Sequence, residues 1–240
     1  MSWLLADTTW ADLPVRPLVI VPVGSTEQHG PHLPTSTDTL VATAVAEGAA
    51  RRLPGEVVVA PALAYGSSGE HQGFAGTVSI GADALRVLLL ELVRSLAHWA
   101  ARVVLVNGHG GNVGVLTSVV PQLAGEGHDV GWVPCSAGSR DAHAGFTETC
   151  LVLHLAPSLV HRQRAAPGNV APLAALMPAL VSGGVAAVAP SGVLGDPTGA
   201  SAAEGARLLE GLVADVVARL RHGVADPDGR LVPRPVQDAS

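Results

Sequence analysis

Short runs of β-branched and aliphatic residues alternate along the chain with longer segments whose apolar positions have helical spacing. The short runs are continuously apolar and bounded by turn residues, which is typical of parallel strands covered on both faces. They lie at residues 18–23, 57–60, 102–106 and 130–133, and the helical segments lie at residues 39–53, 82–100, 113–124, 147–155 and 202–221. Because strands and helices alternate, the pattern predicts an α/β fold with three layers, in which helices cover a mostly parallel central sheet.

The predicted elements form a single domain over residues 1–224, with no internal repeat and no linker that divides it. Residues 183–200 are rich in Gly, Pro and Ser, which predicts a long loop inside this domain. From residue 225 onwards the sequence is polar and Pro-rich. Residues 225–240 are therefore expected to form a loosely held C-terminal tail.

The composition excludes several classes of protein. Of the 240 residues, 48% are apolar and 14% charged, so the chain can bury a core and is not intrinsically disordered. All 14 basic residues are arginines, which excludes a Schiff-base lysine, a lysine general base and a P-loop lysine. The arginines are scattered and the net charge is −6, so nucleic acid is not an expected partner.

The sequence also predicts where the protein works. No apolar run approaches the roughly 18 to 20 residues that a membrane-spanning helix needs, and no membrane partner is expected. The first residues lack the basic start and apolar stretch of a secretory signal. Cys135 and Cys150 are too few for a disulfide framework and are not spaced as a zinc pair. We interpret them as reduced thiols, and we expect a cytoplasmic protein.

Acids and histidines concentrate where two of the predicted strands end. Glu27 and His29 follow the first strand, two residues apart, so in an extended segment their side chains point the same way. Asp38 immediately precedes a helix, and His109 lies in a Gly-rich turn after the third strand. Taken singly, Asp38 is explained equally well as a helix N-cap, and the others as solvated loop residues. Ligands of open α/β sheets gather at the carboxyl ends of the strands, and the joint pattern favours a metal site there.

The chemistry of these side chains limits the metal. Two imidazoles with two or more carboxylates suit Zn²⁺, Mn²⁺ or Fe²⁺ and do not resemble a soft thiolate site. The neighbouring Gly108 and Gly110 allow close approach of the backbone, and their amides are candidates to hold an oxyanion. The same turn does not match the spaced-glycine fingerprint of a nucleotide-binding loop.

Two further clusters lie in predicted loops. Residues 141–150 contain His143 and Glu148, and the simpler explanation of Glu148 is that it favours the start of a helix. The alternative makes Glu148 a metal ligand and His143 a proton shuttle. Glu70 and His71, in the second cluster, are either substrate contacts or solvated loop residues. The remaining histidines without a partner pattern are interpreted as structural or exposed: His98, His128, His154, His161 and His222.

Three separated motifs resemble the creatininase (creatinine amidohydrolase) family. They are VGSTEQHGPHLP at residues 23–34 with the later Asp38, NGHGGN at residues 107–112, and HAGFTET at residues 143–149. The resemblance extends from about residue 18 to about residue 205. It implies an α/β metallohydrolase with two divalent ions per subunit and a homo-oligomer, commonly a hexamer. The ligands that it implies are Glu27, His29, Asp38 and His109, with Asp38 bridging the two ions.

The chain departs from creatininase itself at one position. There, a glutamate two residues after the histidine of the Asn-Gly-His motif completes the site, whereas this chain has Gly111. The likeness to His-Ala-Gly-containing members implies that Glu148 supplies the missing carboxylate and that His143 is the proton shuttle. The departure also weakens the case for creatinine as the substrate.

Within the family, residues 153–157, 168–178 and 192–203 are most similar to peptidases that mature a small precursor peptide. This likeness implies hydrolysis of a peptide bond near the C-terminus of an already modified peptide, releasing a product of its last Val-Tyr pair. Two alternatives remain open. One is an amidohydrolase of creatinine or another small cyclic amide or formamide. The other, a non-catalytic metal-binding protein, is disfavoured because His143 and Glu148 accompany a full primary site.

Overall fold

A computed structural model describes residues 3–135 and 141–234. Its central sheet has four parallel strands in the order β2-β1-β3-β4. The strands are β1 Leu18–Val23, β2 Val57–Val59, β3 Arg102–Asn107 and β4 Val130–Pro134. β1 pairs with β3 along its whole length, from Leu18 opposite Arg102 to Val23 opposite Asn107. The loops that follow these two strands therefore begin side by side.

Helices cover both faces of this sheet. They are α1 Thr37–Ala50, α2 Gly81–Leu96, α3 Val113–Gly125, α4 Phe146–Leu155, α5 Leu173–Val188 and α6 Ala202–His222. Because successive strand residues point to opposite faces, Val19 and Val21 pack with α2 and α3, whereas Ile20 packs with α1, α4 and α6. The predicted three-layer α/β fold with a parallel sheet is confirmed. Among the described residues, no helix is both long and apolar enough to span a bilayer.

Helix α5 is the main departure from the predicted elements. The sequence predicts a loop from residue 183, but α5 continues to Val188 and begins ten residues before that loop. Pro178 and Gly184 lie inside it, and the backbone at Gly184 is left-handed, with φ of 69°. The helix is therefore kinked. Its inner residues pack against Phe74 and Leu194 in a small apolar cluster outside the main core.

The first part of the predicted tail is folded, contrary to expectation. Two short antiparallel strands, β5 Val224–Ala225 and β6 Leu231–Val232, form a hairpin there. Leu231 is buried against Gly131, where a Cβ atom would lie 2.8 Å from its side chain. One apolar side chain thus anchors the hairpin to the central sheet. Residues 235–240 lie outside the described residues.

Candidate metal centre

Three parts of the fold bring the predicted ligands to one edge of the sheet. Glu27 and His29 follow β1, His109 follows β3, and Asp38 lies in the first turn of α1. The approach of α1 to the β3 loop requires a glycine, because a Cβ atom at Gly108 would lie 2.5 Å from the Asp38 carbonyl oxygen. The predicted convergence at the carboxyl ends of the strands is therefore present in the fold.

Glu27, Asp38 and His109 form the first group of possible ligands. The Nδ1 atom of His109 lies 3.2 Å from Glu27 Oε2 and 3.2 Å from Asp38 Oδ2. On the other side of the ring, Nε2 donates a hydrogen bond to the Ser67 carbonyl oxygen at 3.0 Å. This bond directs Nδ1 towards the two carboxylates, as a metal-binding histidine requires.

His29 and Glu148 face the other side of Asp38. The Nε2 atom of His29 lies 3.1 Å from Asp38 Oδ1 and 4.0 Å from Glu148 Oε1. Its Nδ1 atom lies 3.2 Å from the Glu27 carbonyl oxygen, to which it donates. The two Asp38 oxygens thus point at different histidines, and Ser25 donates to Oδ2 at 2.7 Å. This arrangement excludes the N-cap interpretation of Asp38 and is the geometry that a bridging carboxylate needs.

Glu148 combines the two interpretations that the sequence left open. It lies in the first turn of α4, and its Oε2 atom accepts the backbone N–H of Ala144 just before the helix. Its Oε1 atom faces His29. Burial raises the pKa of Glu148 to about 7. One oxygen therefore supports the local backbone while the other is directed to the candidate metal centre.

Glu27 provides the test of whether these residues fit a metal ion. Its side chain is fully buried, and neither carboxylate oxygen accepts a hydrogen bond from any residue that the structure describes. A buried carboxylate that accepts no hydrogen bond is unfavourable even with the His109 ring 3.2 Å away, and a divalent cation would bind these oxygens directly. Ligand atoms of Glu27, Asp38 and His109 lie within 4.8 Å of one another, as do those of His29, His143 and Glu148. The described residues fit a divalent metal centre.

The carboxylates also change the protonation of the histidines. Burial alone would lower the pKa of His29, but the nearby carboxylates, above all Asp38, outweigh it and raise the pKa to about 10. Burial is likewise outweighed at His109, where Asp38 and Glu27 raise the pKa to about 11. The centre therefore strongly attracts positive charge, which a bound divalent cation would provide in place of protons.

Gln28 orients two further histidines, a role that the sequence analysis missed. Its side-chain amide is fixed by two backbone groups, because Oε1 accepts from Gly30 N–H at 2.8 Å and Nε2 donates to the Gly192 carbonyl at 3.1 Å. The same Nε2 donates to Nδ1 of His71 at 2.9 Å. The signal was present in the chain, since Gln28 lies between Glu27 and His29 and must point away from them.

His143 is held in one tautomer by the backbone of Gln28. Its Nε2 atom lies 2.8 Å from the Gln28 carbonyl oxygen, which only accepts, so Nε2 carries the proton. The bare Nδ1 atom then faces Glu27 Oε1 at 3.7 Å. Burial, with His29 and His71 nearby, holds the pKa of His143 well below its usual range. His143 therefore presents a proton acceptor to the centre.

The structure distinguishes Gly108 from Gly110, the two glycines whose amides were predicted to hold an oxyanion. Gly108 was predicted to offer its amide to an oxyanion, but that N–H donates to the Val23 carbonyl at 2.8 Å, so the prediction is wrong. Gly110 borders a cavity of about 390 Å³ at the centre, together with Glu70 and His71. A Cβ atom at Gly111 would collide with the Ser67 carbonyl oxygen, so no carboxylate can extend from position 111 here.

Comparison with known proteins agrees with this geometry. The family model "Creatininase: Creatinine amidohydrolase" matches residues 6–220. A protein of Mycobacterium ulcerans (strain Agy99) described as "Mycofactocin precursor peptide peptidase" is 54% identical over 235 residues, which cover 95% of this chain and 94% of that protein. A mutant creatininase structure of "Zn-Zn type" and a structure described as "Creatininase Mn" are 26% and 27% identical to the chain. Both superpose with a TM-score of 0.73, covering 92% of this chain and 98% of theirs.

Proposed function

Because this chain belongs to the creatininase family, we propose that it is a metal-dependent peptidase that cleaves the mycofactocin precursor peptide. The bond that it hydrolyses is a C–N bond near the end of the peptide, and the product is the modified C-terminal Val-Tyr portion. One observation carries the proposal. A chain similar over nearly its whole length to a peptidase of that description places Glu27, Asp38 and His109 in one buried group beside His143.

The donor atoms suit two divalent ions per subunit, of Zn²⁺, Fe²⁺ or Mn²⁺. Glu27 and His109 would hold one ion, His29 and Glu148 the other, and Asp38 would bridge them. The Zn-Zn and Mn descriptions of two structures similar to this chain support this assignment. When bound, such ions polarise the scissile carbonyl and make water a nucleophile near neutral pH.

Side chains of the protein then transfer the protons and position the substrate. His143, whose Nδ1 atom is bare, accepts a proton from the attacking water. It returns that proton to the amide nitrogen, which without it is a poor leaving group. The cavity beside it is lined by Gly110, Glu70 and His71, and we assign contacts with the peptide to Glu70 and His71 and the developing oxyanion to the amide of Gly110.

A comparison of substrates tests the proposal. Metal-loaded protein should release a C-terminal fragment from a precursor peptide ending in Val-Tyr, supplied in matured and unmatured forms and followed by mass spectrometry. Creatinine serves as the control substrate, because the family also contains creatinine amidohydrolases. Efficient creatinine hydrolysis without peptide cleavage would establish the small-amide alternative, and hydrolysis of neither would favour a non-catalytic metal-binding protein.

Glu148→Gln tests the position of the second ion. The amide keeps the volume and one carbonyl oxygen but loses the charge, so one ion should bind at least about 10-fold more weakly while the fold survives. Metal content after dialysis against a graded chelator gives the measurement, with Glu91→Gln on the exposed side of α2 as the matched control. If Glu148→Gln retains two ions and full turnover, the carboxylate only supports the start of α4.

Assembly and location complete the proposal. We propose a homo-oligomer, specifically a hexamer, on the strength of the family resemblance. Trp10 and Val15 are exposed for 88% and 90% of their surface, and apolar side chains of this kind are suited to contacts between subunits. Light scattering measures the mass directly.

A cytoplasmic location accords with Cys135 and Cys150, which form no disulfide among the described residues.

A further inference from the structure

Helix α5 places three large apolar side chains along one exposed line. Leu173, Met177 and Val181 are spaced by four residues and are exposed for 46%, 43% and 80% of their surface. We call these three residues the α5 ridge. Other side chains of the helix, among them Leu176 and Val188, already pack into its small apolar cluster. Packing of α5 onto the domain therefore does not require an apolar ridge.

The α5 ridge lines the same cavity as the candidate metal centre. Its three side chains line the 390 Å³ space together with Glu27, His109 and His143. Leu173 also borders an adjoining cavity of about 420 Å³ that extends along residues 169–172. A peptide that binds in this cavity with its scissile bond at the candidate metal centre therefore has the α5 ridge beside it.

The ridge is positioned by the active-site loop. At the kink, a Cβ atom on Gly184 would lie 2.7 Å from the carbonyl oxygen of Glu70, so this glycine allows α5 to rest on the short 3₁₀ helix Gly69–His71. The backbone there is left-handed, a conformation that glycine adopts without strain. The distance between the α5 ridge and His71 is thus set by direct backbone contact.

We propose that the α5 ridge is the specificity wall of the enzyme, which binds an apolar side chain of the peptide next to the scissile bond. The inference rests on the proposed peptidase function and adds the surface that selects the substrate. The cavity combines a few polar and charged side chains with the apolar side chains of the α5 ridge, a combination that is usual in ligand sites, where polar groups fix orientation and apolar groups bind. An apolar wall of this kind favours apolar over polar side chains, because a polar group buried there loses its hydrogen bonds to water.

The test compares two substitutions in the α5 ridge, Met177→Gln and Val181→Asn, with a matched apolar-to-polar change elsewhere. Val87→Gln on α2 is the control, since Val87 is 61% exposed and lies outside the cavity. Wild-type protein should prefer an apolar over a polar residue beside the scissile bond by about 10- to 200-fold in kcat/KM. In the ridge variants this preference should fall about 10-fold, and the change should appear in KM. Their metal content should be unchanged, and Val87→Gln should have the same preference as wild type.

A binding measurement separates this inference from the proposed function. Calorimetry with N-acetyl-Val-Tyr amide and N-acetyl-Ser-Asn amide requires no turnover. If wild-type protein cleaves no peptide yet binds the Val-Tyr probe in a ridge-dependent way, the peptidase proposal fails and the α5 ridge stands. If peptides are cleaved with equal preference by wild type and ridge variants, the inference is overturned and the peptidase stands. A changed oligomeric mass in the ridge variants, or no ridge-dependent binding in either measurement, also overturns it.

Discussion

Changing Glu27 to glutamine should remove metal and lower turnover by at least about 100-fold, yet make the metal-free protein more stable. Both effects follow from the two buried carboxylate oxygens that accept no hydrogen bond from the described residues. With an ion bound, they would be ligands, and loss of even an outer-shell partner commonly costs 10- to 100-fold in affinity or activity. Without an ion they accept no hydrogen bond from the described residues, and their charge is offset by the His109 ring at 3.2 Å. An unsatisfied buried polar group costs about 1–3 kcal/mol, so neutral glutamine should raise the free energy of unfolding by about that amount.

Denaturant unfolding with and without chelator measures the two effects separately. Wild-type protein should gain stability when Zn²⁺ or Mn²⁺ is added, because an ion that binds only the folded state stabilises it. Glu27→Gln should start from a higher value in chelator and gain little from the metal. Glu91→Gln, an exposed acid on α2, should behave as wild type in both conditions. A Glu27→Gln variant that binds metal and gains stability as wild type does would exclude Glu27 from the metal centre.

The sequence predicts those strands and helices in which apolar, buried positions recur in a regular pattern. Each of the four strands is a continuous apolar run, because helices cover both faces of the sheet. Helix α5 escapes prediction because Pro178 and Gly184 interrupt its pattern, and because it packs against Phe74, which is far away in sequence. The hairpin at the C-terminal end escapes for a similar reason, since a single buried leucine, Leu231, anchors it.

The residues of the candidate metal centre also fall into two groups, those that the sequence predicts and those that it does not. Glu27, His29 and His109 are predictable from the sequence alone, since parallel strands end at the same edge of a sheet. The roles of His143 and Glu148 are one of two interpretations that the sequence leaves open, the family resemblance favours them, and they remain proposals. The α5 ridge and the network of Gln28 meet their partners only in the folded chain, so the spacings that set the direction of these side chains do not identify what they contact. The error at Gly108 has the same origin, because the hydrogen bond that occupies its amide joins two strands.

Replacing His143 by alanine should lower kcat by about 10²- to 10⁴-fold, which is the usual contribution of a general acid–base group. KM should change little, since proton transfer stabilises the transition state more than the bound substrate. The structure gives the reason, because the Nε2 atom of His143 is tied to the Gln28 carbonyl and Nδ1 is left to exchange a proton in the cavity. His98→Ala is the matched control, since His98 is exposed near the end of α2.

Metal content decides between the two roles that the geometry of His143 permits. Its ring nitrogens lie within 4.8 Å of possible ligand atoms of Glu27 and His71, and of His29 and Glu148, so that one ion could bind all members of either group. A proton shuttle predicts that His143→Ala retains its metal and recovers part of its kcat when imidazole is added. Loss of an ion without rescue would make His143 a ligand. The proton would then have to pass through His71, whose ring centre lies 4.5 Å away in the same cavity, because His32 is engaged with Thr149.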